Sequence, residues 1–406
     1  MELFHFTLGN GIRLVHLRVS GIVAHCGLLI NTGSRDEQEY QHGLSHFIEH
    51  MLFKGTKKRK AYHILSRLED VGGELNAYTT KEETAIHASF MMEHFERAIE
   101  LISDISFTSI FPPREIEKEK DVVIEEINSY KDNPAELIFD DFEELIFSNQ
   151  PIGRNILGTA ESVKTFSNEM LLNFISENYN TEQMAFCSVG NISDNKILKL
   201  FQKYFSEVPR NQKHTIRIIP SFNEPATVSK LMDTHQNHCI IGNGAYNLMD
   251  KRRMGLFLLN NIIGGQGLNS RLNLSLREKN GFAYNVESSY SPYYDTGVFS
   301  IYFGTDSQNL EKSISIANRE MVKLCSIRLG SMQLGKARNQ IKGYLARGYE
   351  HHESLMLSLA KSLLVFNKID QLEETYRKID AVTSSEIMEI ANEIFNRDKL
   401  STLIYK

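Results

Sequence analysis

The sequence predicts two similar domains, each built of both strands and helices. At 406 residues the chain is too long for one ordinary hydrophobic core. Gly73-Glu-Leu-Asn-Ala-Tyr78 and Gly281-Phe-Ala-Tyr284 stand about 208 positions apart, and each follows a predicted helix and leads into paired strands. Residues 167–189 and 384–404 share the order of a helix followed by a strand. We therefore expect a duplicated domain of about 200 residues.

Local signals define the elements of the first half. Asn10-Gly11 between two alternating segments indicates a β-hairpin. Gly72-Gly73 closes a helical segment, as a C-cap and turn do. Phe111-Pro112-Pro113 breaks the chain and opens a long helical segment, which Asn133-Pro134 interrupts. The predicted strands cover residues 3–8, 12–17, 21–30, 74–80, 84–90 and 185–189, and the predicted helices cover residues 44–52, 62–71, 94–103, 113–147 and 170–179.

A polar stretch separates the two halves. Residues 207–225 contain three prolines, so we place a first domain at 1–210, a linker at 211–225 and a second domain at 226–406. Gly264-Gly265-Gln266-Gly267 follows a helix and lacks the lysine of a phosphate-binding loop, which favours a structural turn. Thr383-Ser-Ser-Glu386 has the capping-box pattern. The predicted strands cover residues 226–233, 238–241, 284–290, 297–303 and 401–405, and the predicted helices cover residues 252–263, 270–279, 309–325, 331–349 and 352–365, with a last helix from 384.

Composition and charge narrow the class of protein. Apolar residues make up 41% of the chain and charged residues 24%, as in ordinary globular proteins. The formal charge of −6 argues against a nucleic-acid partner. We see neither a signal stretch nor an apolar run of membrane-spanning length, and expect a cytoplasmic protein without a membrane partner. The four cysteines form no C-x-x-C pair and are expected to be small buried apolar residues in a reducing compartment.

The segment Gly43–Gly55 carries the strongest functional signal. Its apolar residues recur with helical spacing, which predicts an amphipathic helix: Leu44, Phe47, Ile48, Met51 and Leu52. The other face presents His46, Glu49 and His50. Two imidazoles one turn apart suit a single tetrahedral metal ion, and Glu49 beside them suits a base acting on a metal-bound water. H-x-x-E-H is the inverted form of a zinc-hydrolase motif, although a solvated helix face with the same residues is the alternative.

A third metal ligand is not determined by spacing. Glu119 and Glu126 stand two turns apart in a predicted helix and therefore share one face, which an ordinary acidic stripe would also explain. Other candidate ligands remain equally available to spacing alone: Glu69, Glu74, Glu82, Glu83, Glu125, His42, His63 and His87. The second half has no H-x-x-E-H, so we expect one metal site per chain.

With these residues in view, essentially the whole chain resembles the pitrilysin/insulinase family of zinc metallopeptidases, and most of all its half-length type related to mitochondrial processing peptidase. Four motifs carry the resemblance: His46-Phe-Ile-Glu-His-Met-Leu-Phe-Lys-Gly-Thr56, Leu75-Asn-Ala-Tyr-Thr79, Glu119 followed at seven residues by Glu126, and Arg277-Glu-Lys-Asn-Gly-Phe-Ala-Tyr284. The resemblance implies that Glu126 is the third zinc ligand. It implies that Glu119 orients a ligand or the active-site water from outside the metal's own ligand set.

The resemblance also implies a set of substrate-binding residues. Asn76 and the backbone of Ala77 would hold an extended peptide by strand addition. Arg277 and Tyr284 match residues of the second domain that reach the substrate near the zinc, although a surface charge and a core aromatic are the alternatives. Phe53 would line a side-chain pocket, for which core packing is an equal alternative.

The family fold implies an α+β protein of two homologous domains, each a mainly antiparallel sheet with helices packed on one face. The implied function is that of a zinc endopeptidase, with one Zn²⁺ per chain and Glu49 as general base, acting on peptides or unfolded segments in the chamber of a homodimer. Another divalent ion in place of zinc stays open, because the choice depends on supply. Two alternatives remain. One is a non-catalytic scaffold or a subunit that depends on a related partner chain, and the other is a dedicated maturase for one precursor.

Overall fold

The structure is a computed structural model that describes residues 2–232 and 234–406. Asp233, the last residue of the strand predicted over residues 226–233, lies outside the described residues. The strands are β1 Leu3–Thr7, β2 Arg13–Arg18, β3 Val23–Ile30, β4 Glu74–Thr79, β5 Thr84–Met91, β6 Met184–Gly190, β7 Thr227–Lys230, β8 Asn237–Gly244, β9 Ala283–Pro292, β10 Gly297–Thr305 and β11 Ser401–Tyr405. The helices are α1 Leu44–Met51, α2 Ala61–Glu69, α3 Phe95–Thr108, α4 Pro113–Lys131, α5 Pro134–Ile146, α6 Ala160–Thr165, α7 Asn168–Asn178, α8 Asp194–Phe205, α9 Arg253–Gly264, α10 Leu310–Ser326, α11 Ser331–Glu350, α12 His352–Phe366, α13 Leu372–Ala381 and α14 Ser384–Ile394.

Several local predictions are confirmed. The Asn10-Gly11 turn joins β1 to β2, and the two strands pair antiparallel from Thr7↔Arg13 onward. Thr383 caps α14, because its hydroxyl accepts from the Glu386 N–H while the Glu386 carboxylate accepts from the Thr383 N–H. The helix predicted over residues 270–279 is largely a π-helical segment, Asn273–Glu278.

The first sheet has the strand order β1-β2-β6-β3-β5-β4. Its neighbours pair antiparallel except β2 and β6, which run parallel. Strand β4 lies at an edge of this sheet and pairs with β5 along one side, with Asn76 opposite His87 and Ala77 opposite Ile86. The strand of the Asn-Ala-Tyr-Thr segment therefore has a second side that no strand of the sheet covers.

The second sheet has the strand order β7-β11-β8-β10-β9, with β7 and β11 parallel and the other pairs antiparallel. This order repeats β2-β6-β3-β5-β4 of the first sheet strand for strand, including the position of the parallel pair. The α+β class, the mainly antiparallel sheets and the duplicated domain are thereby confirmed.

The chain divides into two compact units that are not contiguous in sequence. The first comprises Met1–Asn128, Ile156–Arg217 and Arg347–Gln371, and the second comprises Ser129–Asn155, Ile218–Ala346 and Leu372–Lys406. The division between Arg217 and Ile218 lies within the predicted linker. The predicted domains 1–210 and 226–406 were contiguous, whereas in the structure two helical segments, 129–155 and 347–371, each belong to the unit of the other half.

Burial of apolar surface explains this arrangement. In each unit one face of the sheet packs against the helices of its own half, whereas the resemblance implied helices on one face only. The opposite face of the first sheet is covered by α12, which places Leu355, Met356 and Leu359 on β2, β3, β5 and β6. The opposite face of the second sheet is covered by α5, through Ile138 and Phe142. Each sheet is therefore covered on both faces, which suits their apolar strands, such as the fully buried β6 and β10.

Within the described residues, the helices are either too short or too polar to cross a lipid bilayer.

Candidate metal centre

Helix α1 begins in a backbone conformation that only glycine adopts easily. Gly43, its N-cap residue, has φ +92°. An added Cβ would lie 2.6 Å from the Leu157 carbonyl oxygen and 2.7 Å from Gly158 Cα. Glu37 takes the place of a side-chain cap, since its carboxylate accepts from the N–H of Gly43 at 2.8 Å and of Ser45 at 2.7 Å. A carboxylate at this end also complements the helix dipole.

The amphipathic pattern of α1 positions its polar residues. Phe47, Ile48 and Met51 are fully buried in the core of the first unit. This orientation leaves His46 and His50 side by side, with ring centroids 4.6 Å apart. The alternative of a solvated helix face is wrong, because His46 is 8% exposed.

The third donor comes from α4. Glu126 Oε2 lies 3.4 Å from His50 Nε2 and 3.8 Å from His46 Nε2. Donor atoms of these three residues all lie within 4.8 Å of one another, and no other such group of His, Cys, Asp or Glu occurs among the described residues. Ligands at about 2.0–2.1 Å from a tetrahedral zinc lie about 3.3 Å apart, so the donor set fits zinc and leaves a fourth position open.

Glu119 lies one side-chain layer behind these donors. It is 4% exposed and belongs to the buried stripe of α4 with Ile116 and Val123, so it is not part of a solvated acidic stripe. Its Oε1 lies 2.9 Å from His50 Nδ1, and its Oε2 lies 2.6 Å from Lys54 Nζ. A hydrogen bond at Nδ1 directs the lone pair of His50 Nε2 toward Glu126.

Burial and charge set the protonation of the two histidines. Burial lowers the pKa of His46 to about 3, and the neighbouring His50 adds to the shift, so His46 is neutral at physiological pH. Burial also opposes the charged form of His50, but the hydrogen bond to Glu119 and the charges of nearby carboxylates raise its pKa overall.

The protonation of Glu49 is shifted in the direction expected of a general base. Burial raises the pKa of the Glu49 carboxyl, and the charge of Glu126 adds to the rise, while Thr79 and His50 oppose it. A carboxylate whose pKa moves toward neutrality both accepts and returns a proton more readily near pH 7.

Three of the predicted substrate-binding residues lie in the first unit with the donor cluster. Asn76 is exposed and Ala77 half-buried on the edge strand β4, which packs near α1. Phe53 is half-buried and packs against the hydrophobic core, which agrees with the core-packing alternative for this residue.

The other two predicted substrate residues lie in the second unit. Tyr284 is 74% exposed, so the alternative of a core aromatic is wrong. The guanidinium carbon of Arg277 lies 5.1 Å from the centre of the Tyr284 ring, a cation–π contact. Both residues line a cleft of about 1020 Å³ along the edge strand β9, together with the turn at Gly264–Gly267. Their approach to the metal centre stays a prediction.

Sequence reasoning missed three residues that contact α1 or Glu119: Glu37, Lys54 and Thr79. Lys54 stands four positions after His50, so helical spacing alone offered a signal for it. Glu37 and Thr79 carried no comparable signal, because they reach α1 from a preceding loop and from β4.

Two family profiles match this chain. The family profile described as "Insulinase (Peptidase family M16)" matches residues 18–160, which include the complete donor cluster. The profile described as "Peptidase M16 inactive domain" matches residues 165–341. A Bacillus subtilis protein named "Uncharacterized zinc protease YmxG" is 32% identical, over 98% of this chain and 97% of its own length. The chain belongs to peptidase family M16.

Other M16 relatives agree over similar lengths. An "Uncharacterized zinc protease" of Rickettsia bellii is 33% identical over 93% of this chain and 91% of its own length. A crystal structure of a protease from Helicobacter pylori superposes with a TM-score of 0.90 over 100% of this chain and 99% of that one, at 23% identity. A structure described as the peptidase M16 inactive domain from Pseudomonas fluorescens gives a TM-score of 0.92 over 100% and 98%, at 17% identity. At these identities the two structures establish the fold alone.

Proposed function

We propose that this M16 protein is a zinc-dependent endopeptidase that hydrolyses peptide bonds in peptides or unfolded segments. One observation carries the proposal: the donor atoms of His46, His50 and Glu126 converge within 4.8 Å, with the half-buried carboxylate of Glu49 on the same helix. Two imidazoles and one carboxylate with an open position are the donor set of catalytic rather than structural zinc. Because this is the only such group among the described residues, we infer one zinc ion per chain.

The chain's own residues account for the proton transfers. Zinc, when bound, lowers the pKa of a coordinated water toward 7 and polarises a peptide carbonyl. With the metal held by His46, His50 and Glu126, Glu49 would accept a proton from the attacking water as the water oxygen bonds to the carbonyl carbon. Glu49 would then return that proton to the leaving nitrogen as the carbon–nitrogen bond breaks. Such acid–base assistance contributes about 10²- to 10⁴-fold to the rate.

The substrate would bind as an added strand. The free side of β4 offers backbone donors and acceptors to an extended peptide, and Asn76 and Ala77 lie on this strand. Binding through the backbone selects for an extended chain more than for a particular sequence. In this proposal Arg277 and Tyr284 of the second unit contact the same peptide.

We further propose that two copies pair into a homodimer whose chamber admits unfolded peptides and excludes folded proteins. The support for this arrangement is the resemblance of the chain to the half-length type of the family, which implies such a dimer. Sedimentation of the purified protein at micromolar concentration should give twice the mass of 46.5 kDa. A monomer that cleaves peptides would refute the chamber without refuting the peptidase.

Three variants test the peptidase directly. Glu49→Gln should retain about one zinc per chain and lose about 10²- to 10⁴-fold in kcat on an unfolded peptide mixture. Glu126→Gln should lose both zinc and cleavage. Glu125→Gln, an exposed neighbour on α4, is the matched control and should change neither.

The outcomes separate the alternatives. Zinc-free wild-type protein, or unchanged cleavage by Glu49→Gln, would refute the proposal. Cleavage that appears only after a second, related chain is added would indicate a partner-dependent subunit. Cleavage of one precursor but not of a broad peptide mixture would indicate a dedicated maturase.

A further inference from the structure

Two polar contacts, both made by Glu119, link the metal centre to the turn that follows α1. His50 Nδ1 lies 2.9 Å from Glu119 Oε1, and Glu119 Oε2 lies 2.6 Å from Lys54 Nζ. Each oxygen of the Glu119 carboxylate therefore has its own partner. A carboxylate held at both oxygens cannot rotate about its terminal bond without losing one of two charge-assisted contacts.

The two histidines differ in how they are oriented. The Nδ1 atom of His46 is buried and has no hydrogen-bond partner among the described residues. His50 Nδ1, in contrast, is engaged by Glu119. Of the two imidazoles, only that of His50 has its ring plane and its tautomer set by a side chain behind it. Whatever holds Glu119 in place therefore controls the direction of the His50 Nε2 lone pair.

Lys54 is itself held in position by the turn. Its backbone N–H donates to the Met51 carbonyl at 3.1 Å. Two residues further on, Thr56 Oγ1 donates to Asp104 Oδ2 at 2.9 Å and accepts from the Arg59 N–H at 2.9 Å. With the backbone fixed on both sides, the half-buried Lys54 side chain needs little further ordering to reach Glu119.

We propose that Lys54 is a positioning residue for His50. By binding Glu119 Oε2, it directs Glu119 Oε1 at the Nδ1–H of His50, which keeps the Nε2 atom of His50 free and aimed at Glu126. This inference rests on the proposed zinc site, but it does not require that the protein cleave peptides.

The test uses the full-length protein and measures zinc binding, not cleavage. Competition with a chromophoric chelator gives the zinc dissociation constant. Lys54→Met should weaken zinc binding by about 10-fold, the lower end of the usual loss of about 10- to 100-fold for a direct partner of a ligand, because Lys54 acts through Glu119. Lys54→Arg, which keeps a cation that reaches a carboxylate, should restore most of that loss. Lys58→Met is the matched control, because Lys58 is exposed on the same turn, and it should bind zinc as the wild type does.

Two further readouts separate positioning from simple stabilisation. In zinc-free protein labelled with ¹⁵N-histidine, the wild-type His50 imidazole should be the Nδ1–H tautomer, and Lys54→Met should give a mixture of tautomers. Adding Lys54→Met to Glu119→Gln should weaken zinc binding no further, because the lysine acts through Glu119.

Unaltered zinc affinity in Lys54→Met, an unaltered tautomer, or losses that add in the double variant would overturn the inference. If Lys54→Met does not fold, the Lys54→Arg rescue and the wild-type tautomer still decide it. Wild-type protein that binds zinc but cleaves no peptide would refute the proposed peptidase while leaving these measurements intact.

Discussion

His87 Nδ1 on β5 lies 3.0 Å from Glu353 Oε1 on α12. The contact joins the first sheet to a helix from the far end of the sequence. His25 lies beside it on β3, with its ring centroid 6.5 Å from that of His352. This face of the sheet is therefore covered by a helix whose first turn meets the buried His87 and the half-buried His25.

Because of these two histidines, we expect the folded protein to lose stability in acid. Burial lowers the pKa of both His25 and His87, while the charge of Glu353 opposes the shift at both. A lowered pKa in the folded state means that the unfolded chain binds more protons below about pH 6.5, so stability falls as the pH falls through this range. Glu353→Gln removes the opposing charge and should make the loss between pH 7.5 and 5.5 larger.

Urea unfolding of zinc-free protein at the two pH values measures this effect. Glu350→Gln is the control, because Glu350 is exposed just before α12. Equal pH dependence in Glu353→Gln and in the control would contradict the prediction.

Gly43 at the start of α1 should tolerate no side chain. Gly43→Ala combines a positive φ, which costs about 1–2 kcal/mol, with a Cβ only 2.6 Å from the Leu157 carbonyl oxygen, which adds about 1–3 kcal/mol. Gly72→Ala is a matched control, since Gly72 has φ +73° but no atom within 4 Å of the added Cβ. It should show only the cost of the positive φ. Denaturant midpoints measure both, and a similar loss in the two variants would show that the crowding at Gly43 is relieved.

Zinc affinity should fall as the pH falls, starting above pH 6.5. The pKa of His50 is raised, so protons compete for its Nε2 atom at a higher pH than for an ordinary histidine. Glu119→Gln removes the carboxylate that supports the protonated ring, which should move the onset of competition to lower pH while weakening zinc binding at pH 8. Chelator competition from pH 5.5 to 8 measures both effects. An onset that stays in place in Glu119→Gln would contradict this account.

Tyr284→Ala should impair peptide binding without loss of stability. Because Tyr284 is 74% exposed, its removal leaves the core intact. If it contacts the bound peptide, KM should rise by about tenfold, equivalent to about 1.4 kcal/mol, with zinc content unchanged. Tyr62→Ala is the control, since Tyr62 on α2 is 73% exposed. Steady-state kinetics on one peptide separate the two variants, and an unchanged KM in Tyr284→Ala would remove this residue from the substrate site.

Local features of the fold followed from the sequence because each depends on residues a few positions apart. The hairpin at Asn10-Gly11 and the cap of α14 at Thr383 are examples. The division into units did not follow, since nothing in the periodicity of α5 or α12 tells which sheet each will cover.

The same distinction between local pattern and tertiary packing applies to the metal centre. The sequence alone determined that His46, Glu49 and His50 share one helix face, because helical geometry relates residues three and four apart. Family resemblance, not spacing, singled out Glu126, since other acidic residues were equally available. Only the tertiary structure brought Glu126 Oε2 to 3.4 Å from His50 Nε2, and only it joined Lys54 to Glu119. Those contacts depend on how α4 packs against α1, which is set by burial of apolar side chains across the core and not by any local pattern.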